Sequence, residues 1–475
     1  MFSRLKNMVK EVLNKLFKKD SLEKELGIDI AISDDMSNAI DLWSQMYENK
    51  SPWIDEETQS LNLASAIAGE FARLVTLELD TCINGNDYLN EQYQKVVSKI
   101  RKYTEYACAK GGLVFKPYID GEDIAIDLTQ ANNFYPTEFN SSGEVIGAIF
   151  VEFKQEGNML YTRLEHHKLE KEGYYITNIA FEKQNYNNIS VNLNYSTDLG
   201  TRVPLSTVKE WENLEEKAVI KNVDKPLFSY FKIPIANNID STSPLGVSVY
   251  SRAIDLIKEA DKQYSRILWE YEGSELAING SLEAFKMDKK GNPVLPIRKE
   301  RLYRVFDFDS ANGSNKMLDT FSPAIRDQSL FNGLNQQLRK IEFNCGLAYG
   351  TLSDVQETAK TATEIKTSKQ RSYATVKDIQ NSLEIALEDL IYAMNVWARL
   401  IGKSNNSDYE TTFNWDDSLI VDKDAELLSM QQDVSSGLIR PELYIMKKYG
   451  VDEKTALSMM PETEEVTKPL KYDEE

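Results

Sequence analysis

The chain has 475 residues, of which 41% are hydrophobic and 27% charged, and its formal net charge is −20. This composition predicts a soluble globular protein with a large core and about two to four domains, and it argues against a disordered chain. The negative charge argues against tight, static binding of nucleic acid, because such binding needs Lys and Arg to displace counterions from phosphates.

The three cysteines, Cys82, Cys108 and Cys345, are odd in number and far apart, so we expect free thiols and a reducing compartment. No apolar run is long enough to predict a membrane span, and the N-terminus lacks the features of a secretory signal. The two histidines, His166 and His167, are adjacent, and on a strand they would point to opposite faces. Because four-ligand zinc spacings are also absent, we expect neither a metal site nor a cofactor.

The N-terminal half begins with helical patterns. Residues 2–19 predict a basic amphipathic helix, which could bind a membrane surface or a partner groove. The interpretation that we favour is a helix packed on its own protein. Residues 36–108 are mostly helical in spacing, and Gly111-Gly112 predicts the end of the last helix, since glycine readily adopts the left-handed conformation needed there.

At Leu113 the hydrophobic period changes to two, which predicts a group of antiparallel strands. The predicted strands are Leu113–Ile119, Ile124–Asp127, Val145–Phe153, Leu160–Leu164 and Tyr174–Phe181. The first two flank Asp120-Gly121, a dipeptide typical of hairpin turns. Because the strands are grouped and do not alternate with helices, we predict an α+β region.

From Gly246 onward the pattern predicts a helix, a small β-rich insert, a helix, a loop and a very long helix. Residues 246–273 and 323–344 place apolar side chains at helical steps, although position 261 in the first stripe is an aspartate. The insert between them, residues 274–322, contains the strand-like runs Leu282–Met287 and Leu302–Phe308.

The stretch from Gly346 to Gly402 begins with a polar loop and continues as a helical pattern without proline. Apolar positions from Val376 to Ile401 lie on one face. A helix of about 39 residues would be about 58 Å long, so it must cross a large domain or an assembly. Residues 346–358 could be an ordinary connection or a surface loop that touches something moving past it. We expect that deleting residues 350–358 would spare folding.

In the C-terminal segment, the residue pattern predicts a strand at Thr411–Ser418 and helices at Asp424–Ser435, Pro441–Tyr449 and Asp452–Met459. The tail after Pro461 is acidic, and we expect it to be disordered.

Motifs for catalysis are absent from the sequence. It contains neither a glycine-rich phosphate loop nor a nucleophile elbow, which argues against an NTPase or a triad hydrolase, and we expect no catalytic residues. One acidic cluster could hold Mg²⁺ in a nuclease; it consists of Asp416, Asp417, Asp422, Asp424 and Glu426. The same acids suit the start of a helix, which is the interpretation that we favour. A metal-dependent nuclease using Asp416, Asp417 and Asp422 stays open as the alternative.

Three ordered segments resemble the portal proteins of tailed bacteriophages, in the branch found in phages of Gram-positive hosts. The first is Ser243–Tyr250 with Ala253, Ile254, Asp255, Asp261, Trp269 and Glu270; the second is Leu347–Ile365 with Tyr373; the third is Trp415–Ser418 with Asp422, Gly437, Tyr449 and Gly450. Their order and spacing run through residues 243–460, and the N-terminal region matches mainly in layout.

The resemblance implies a mainly helical α+β portal fold, assembled as a ring of about twelve subunits around a DNA channel. Carried onto this chain, the parts are an N-terminal wing region (1–245), a stem helix (246–273), a clip (274–322), a second stem helix (323–344), a tunnel loop (345–362), a long helix with a wing strand (363–419), a crown (420–461) and an acidic tail (462–475).

The resemblance also implies a non-enzymatic role at one capsid vertex, in packaging and ejection of double-stranded DNA. The implied partners are the large terminase subunit, a head–tail adaptor, and the major capsid and scaffolding proteins; the location is the virion after assembly in the host cytoplasm, without membrane contact. The implied DNA-facing residues are Tyr349, Thr351, Ser353, Gln356, Thr358 and Lys360, and the implied partner-binding residues of the clip are Lys289, Lys290, Arg298, Arg301 and Arg304.

An acidic channel wall would repel the DNA backbone, so that DNA could slide without sequence-specific contacts. Lys360, Lys366 and Lys369 could meet phosphates weakly or could only contact water.

Overall fold

The computed structural model describes residues 23, 27–184, 199–281, 284–290, 292–295, 302–306, 318–354, 362–404, 409–415 and 423–460. The chain divides into two compact units, with the boundary after Asn414. The described helices of the first unit are α1 (Asp34–Tyr47), α2 (Leu63–Thr76), α3 (Asp87–Val97), α4 (Ile100–Lys110), α5 (Ile254–Gly273), α6 (Asp327–Cys345) and α7 (Ala362–Leu400). Those of the second unit are α8 (Lys423–Ser435), α9 (Pro441–Tyr449) and α10 (Glu453–Ser458). The basic segment 2–19 and the tail 462–475 lie outside the described residues.

The strands group into separate sheets, as the α+β prediction requires. They are β1 (Leu79–Asn84), β2 (Gly112–Asp120), β3 (Asp123–Gln130), β4 (Phe134–Phe139), β5 (Val145–Glu156), β6 (Met159–Glu170), β7 (Gly173–Gln184), β8 (Thr201–Val203), β9 (Lys217–Ile220), β10 (Ser229–Lys232), β11 (Ala277–Ser281), β12 (Lys286–Met287), β13 (Pro293–Val294), β14 (Tyr303–Phe306), β15 (Leu318–Phe321) and β16 (Glu410–Trp415).

The largest sheet is an antiparallel meander in the order β4-β5-β6-β7-β8, with β9 also paired to β7. A second antiparallel sheet has the order β10-β2-β3, and β1 pairs with β16. The predicted meander β5-β6-β7 and the predicted hairpin β2-β3 of the second sheet are confirmed. Strand β1 was missed, because residues 36–108 were interpreted as mostly helical.

A buried ionic cluster links the two antiparallel sheets. On β2, the Lys116 ammonium lies 2.6 Å from Glu165 Oε2 of β6, and it is also 5.0 Å from the Phe150 ring centroid. The other carboxylate oxygen of Glu165 lies 2.7 Å from His167 Nε2, and His167 Nδ1 lies 2.7 Å from the Tyr174 hydroxyl. The Arg163 guanidinium also lies 3.2 Å from Glu165 Oε2. Because these contacts join β2 to β6 and β7, the cluster fixes the position of one sheet on the other.

Helix α7 has 39 residues, the length that the sequence predicts. Its stripe is buried, with Val376, Ile379, Leu383, Leu387, Leu390 and Met394 each at most 1% exposed. This face packs on β2, β10 and α2, and Gln380 Nε2 donates to the Val75 carbonyl at 3.3 Å. The helix is therefore the central support of the first unit.

The sequence predicted that α5 begins at Gly246, but the helix begins at Ile254. The preceding residues use their polar groups in tertiary contacts: Val249 N donates to the Cys108 carbonyl at 3.0 Å, and the Tyr250 hydroxyl donates to the Trp43 carbonyl at 2.9 Å. Gly246 lies so close to Gly111 that a Cβ on it would be 2.1 Å from the Gly111 oxygen. Gly111 itself ends α4 with φ 87°, as predicted. Residues 246–250 thus pack against α1 and α4 and cannot extend α5.

Candidate functional site

Helices α5 and α6 pack side by side through buried residues that include Ile257 and Ile267 on α5 and Leu334 and Ile341 on α6. Just before α6 begins, the Arg326 guanidinium makes two bonds to the Glu270 carboxylate, at 3.0 and 2.8 Å. These bonds hold the pKa of Glu270 below its usual value. The end of α5 is therefore fixed to the start of α6, and the insert 274–322 leaves and re-enters at this point.

The aspartate in the α5 stripe has a structural explanation. Asp261 is 1% exposed, and its carboxylate accepts from Trp53 Nε1 at 2.9 Å and from Leu61 N at 2.8 Å. Burial raises the pKa of Asp261, and the two hydrogen bonds oppose that rise. The carboxylate thereby anchors the loop between α1 and α2 on α5.

The loop after α6 is built around the buried carboxylate of Glu342. Its Oε1 accepts from three backbone N–H groups, those of Gly350 at 3.1 Å, Leu352 at 2.6 Å and Ser353 at 2.9 Å. Its Oε2 accepts from the Ser353 hydroxyl at 2.8 Å. Glu342 is 0% exposed, and these four donors replace the water that a buried carboxylate loses.

Two further contacts fix the base of the same loop. Gly346 ends α6 with φ 80°, and a Cβ on it would lie 2.7 Å from Thr375 Oγ1 of α7. The Arg371 guanidinium lies 4.1 Å from the Phe343 ring centroid, a distance suited to a cation–π contact. The start of the loop is thus held against both α6 and α7.

The predicted DNA-facing residues separate into two groups. Tyr349 is 43% exposed, and Thr351 is exposed with its hydroxyl donating to the Ala348 carbonyl at 2.6 Å. Ser353 corrects the prediction, because it is 6% exposed and its hydroxyl is bound to Glu342. The remaining residues, Gln356, Thr358 and Lys360, and the side chains of Lys366 and Lys369, lie outside the described part of the chain.

The expectation that residues 350–358 could be deleted without harm to folding is also corrected. Residues 350–353 supply all four donors to Glu342, and Asp354 N donates to Asn335 Oδ1 at 2.8 Å. Deleting them would leave a buried carboxylate without partners. The part of the loop that can be exchanged therefore starts after Asp354.

The insert between α5 and α6 contains a three-stranded sheet in the order β14-β11-β15 and the hairpin β12-β13. Lys289 and Lys290 are exposed in the hairpin turn. Arg304 is exposed on β14, with its guanidinium 5.3 Å from the Phe321 ring centroid. Arg298 and Arg301 lie outside the described residues.

The described part of the chain offers no metal site. No group of three His, Cys, Asp or Glu there could hold a metal ion, and Asp416, Asp417 and Asp422 lie outside it, as do the side chains of Asp424 and Glu426. His166 and His167 occupy opposite faces of β6, since one faces Thr137 and the other Tyr174. The cysteines are free, as predicted. None of the described helices is long and apolar enough to cross a membrane.

Glu342, the residue that organises the loop, is not among the site residues predicted from the sequence. The available signal was an acidic residue beside Ile341, at the edge of the buried stripe of α6. Its partners are backbone N–H groups, which leave no trace in the residue types of the loop.

Comparison with known proteins places the chain in a family. The model of the family described as phage portal protein, SPP1 Gp6-like, matches residues 37–470. No curated protein matches the chain. Among solved structures, it is similar to a chain described as the neck of a native GTA particle computed with C12 symmetry, with 9% identity and a TM-score of 0.41 over 87% of this chain and 93% of that chain. Since the family model matches most of the residues, the chain belongs to the SPP1 Gp6-like family of phage portal proteins.

Proposed function

We propose that this portal protein assembles as a ring of about twelve subunits, in which the loop anchored by Glu342 faces the DNA in the channel. The observation that carries the proposal is this loop: its base is fixed by four hydrogen bonds to one buried carboxylate, and Tyr349 and Thr351 are displayed on it. A loop with a rigid base can touch a passing duplex without losing its place.

The remaining parts follow the portal plan. Helices α5 and α6 form the stem, the insert 274–322 forms the clip, residues 1–245 and 363–419 form the wing, and residues 420–461 form the crown. The protein acts as a passive channel and not as an enzyme. Double-stranded DNA passes without sequence-specific contacts, since a chain of charge −20 offers few sites that hold phosphates tightly.

The clip is the proposed docking surface for the large terminase subunit during packaging and for a head–tail adaptor afterwards. Support comes from the exposed cations Lys289, Lys290 and Arg304, which suit an acidic partner surface. The wing is the proposed contact for the major capsid and scaffolding proteins, and the assembled ring resides in the virion after assembly in the host cytoplasm. Nothing in the described residues favours the nuclease alternative.

Electron microscopy of the purified protein should show rings with an axial hole, of about twelve subunits by class averaging. The measurement is repeated over a range of protein concentrations and with scaffolding protein added. A protein that stays monomeric under all these conditions would contradict the proposed ring.

Exchanging residues 355–360 for a Gly-Ser segment of equal length should leave ring formation unchanged and reduce DNA packaging to a small fraction of the wild-type level. The segment begins after the last residue held by the α6 anchors, so the exchange leaves all four Glu342 bonds in place. The measurement is nuclease-protected DNA per particle.

The matched control places Ser at Glu156, the exposed last residue of β5, and at Asn158, in the exposed turn that follows. This control should package normally. Normal packaging by the 355–360 exchange would remove these residues from the proposed DNA-facing loop.

A further inference from the structure

A cleft of about 380 Å³ lies on the outer face of α6, at the base of the anchored loop. It is lined by Gln336, Arg339, Lys340, Phe343, Asn344 and Tyr349. The Phe343 ring is 52% exposed and Tyr349 is 43% exposed. The cleft is therefore a concave surface with cations, amides and aromatic rings that the single subunit leaves partly uncovered.

The cations of the cleft lack acidic partners within the described part of the chain. Neither Arg339 nor Lys340 forms a salt bridge with a described residue, and Arg339 Nε is buried without a hydrogen-bond partner among them. Arg371, stacked on Phe343, adds a third positive charge nearby. A buried guanidinium N–H without an acceptor is unfavourable, so the cleft is suited to an occupant that carries carboxylates.

The exposed Phe343 ring of the cleft favours a protein over DNA as the occupant. Phosphates of a duplex would bind Arg339 and Lys340, but they would gain little from the exposed Phe343 ring. Tyr, Phe and Arg are instead enriched in the centres of protein interfaces, where rings and guanidinium groups become buried together.

In a second copy of the chain, an acidic turn lies at the same height along the α5–α6 pair as the cleft. The two helices run antiparallel, and the Gln263 side chain lies beside Gly333, so the cleft, starting at Gln336, is level with the N-terminal half of α5. The loop between α1 and α2 is fixed near that level of α5, because Leu61 N donates to Asp261 and, one turn further along the helix, Gln59 N donates to Ser265 Oγ, both at 2.8 Å.

That loop displays Asp55, Glu56 and Glu57, all of them exposed. We call these three residues the acidic turn. Asp55 Oδ1 accepts from the backbone N–H groups of Thr58 and Glu57 at 2.7 and 2.9 Å, which fixes the shape of the turn. In a cyclic ring, two different surfaces of neighbouring subunits meet at the same axial height.

We infer that the cleft of one subunit receives the acidic turn of the next subunit, so that Arg339 and Lys340 pair with Glu56 and Glu57 across the interface. The inference rests on the proposed ring, and it names the contact that joins neighbouring subunits at the junction of stem and wing. Charge complementarity of this kind selects the register of two surfaces as well as adding affinity.

A charge exchange tests this contact. R339E/K340E and, separately, E56K/E57K should each weaken the association of subunits by about tenfold or more, because like charges would then face each other. The combined four-residue variant restores opposite charges and should recover most of the loss. Mass photometry measures the fraction of protein in rings as a function of protein concentration, at low and at high salt. The wild-type ring should weaken as salt is added, whereas the rings of R339E/K340E and of E56K/E57K should not.

The control for E56K/E57K is E212K/E215K, which makes the same change in net charge at exposed positions of the wing and should leave the rings unchanged. Rings of R339E/K340E as stable as the wild type would overturn the inference, as would failure of the combined variant to recover. If E357K restores the rings of R339E/K340E in place of E56K/E57K, the chain's own loop fills the cleft. If R339E/K340E changes only the retention of DNA, the cleft binds phosphate. Either result would overturn the inference.

Circular dichroism of each variant checks folding, and R339Q/K340Q replaces R339E/K340E if the latter does not fold. This milder pair should still weaken the ring and lose its salt dependence. If the wild type itself forms no ring, the proposed function fails; if it does and these variants match it, only the contact between cleft and acidic turn fails.

Discussion

Glu342→Ala should lower the free energy of unfolding by about 3–6 kcal/mol, because each buried donor left without an acceptor costs about 1–3 kcal/mol. The alanine leaves the N–H groups of Leu352 and Ser353 and the Ser353 hydroxyl without their acceptor, whereas Gly350 N keeps a bond to Ser353 Oγ at 3.2 Å. The measurement is urea unfolding followed by tryptophan fluorescence. Hydrogen exchange should show the second consequence, faster exchange of the amides of Gly350, Leu352 and Ser353.

Glu342→Gln tests the contribution of the carboxylate charge, because it keeps the hydrogen bonds. The glutamine oxygen can still accept the three N–H bonds, and its amide can donate to the Ser353 hydroxyl, which then acts as the acceptor. We expect a loss of about 1–2 kcal/mol, the difference between charged and neutral hydrogen bonds. Asn332→Ala, at an exposed position of the same helix, should change stability by less than about 0.5 kcal/mol.

For the portal, the expected consequence of Glu342→Ala is a particle that packages poorly although its rings form. The loop would lose its fixed base, whereas α5 and α6 keep their apolar contacts and the Glu270–Arg326 bonds. Unchanged amide exchange over residues 350–353 in Glu342→Ala would show that the loop is held by something other than this carboxylate.

The long helix α7 could be predicted almost to the residue, because its signal is local. A buried stripe repeats every three to four residues, and no glycine or proline interrupts it. The helices α8 to α10 were predicted for similar reasons: Pro441 begins α9, Gly450 ends it with φ 65°, and the Asp452 side chain caps α10.

The errors arise where tertiary contacts override local pattern. The apolar spacing of Val247 and Tyr250 suggested helix, but these residues are buried because the segment packs between α1 and α4. Ser353 has the composition of a surface loop, yet a carboxylate eleven residues earlier draws it into the interior. Neither contact could be read from sequence, since each depends on which distant backbone lies nearby.

The ionic cluster between the two antiparallel sheets should be the second most sensitive point of the first unit. Lys116→Met removes the ammonium from a site that is 6% exposed and leaves the Glu165 carboxylate buried with fewer cations. Breaking one partner of a buried ion pair costs about 3–5 kcal/mol, so we expect a loss of this size. The measurement is again the free energy of unfolding in urea.

Glu165→Leu should be destabilising to a similar degree, because it leaves the Lys116 ammonium in the interior. The double variant Lys116→Met with Glu165→Leu should lose less than the sum of the two single variants, since apolar pairs often replace buried ion pairs without loss. Strictly additive losses would show that the two side chains act independently and that the cluster is not a pair.

The cluster also sets the expected response to acid. Burial lowers the pKa of His167, with Glu165 opposing this effect, so the ring stays neutral in the folded protein. Its Nε2–H then donates to Glu165, and its Nδ1 accepts from the Tyr174 hydroxyl, whose pKa burial raises well above its usual value. Burial alone would raise the pKa of Glu165, but Lys116 and His167 outweigh it and hold the pKa well below the usual value.

The lowered pKa values of His167 and Glu165 both make the folded protein less stable as the pH falls. Below pH about 6.5 the unfolded chain protonates His167 before the folded protein does, and below about pH 4.5 the same holds for Glu165. Stability should therefore be complete above pH 6.5 and fall as the pH decreases, with a slope of up to about 1.4 kcal/mol per pH unit for each proton. His166, whose pKa burial lowers to about 4, contributes to the same fall.

His167→Gln separates these contributions. The variant should lose stability at pH 7.5, because Tyr174 and Glu165 lose part of their hydrogen bonding. Between pH 6.5 and 5, however, its stability should fall less steeply with acid than that of the wild type, because the residue that takes up the proton on unfolding is gone. His166→Gln is the matched comparison from the opposite face of β6. Parallel stability–pH curves for His167→Gln and wild type would show that His167 is already charged in the folded protein. Its Nδ1–H would then donate to the Tyr174 hydroxyl, while its Nε2–H would still donate to Glu165.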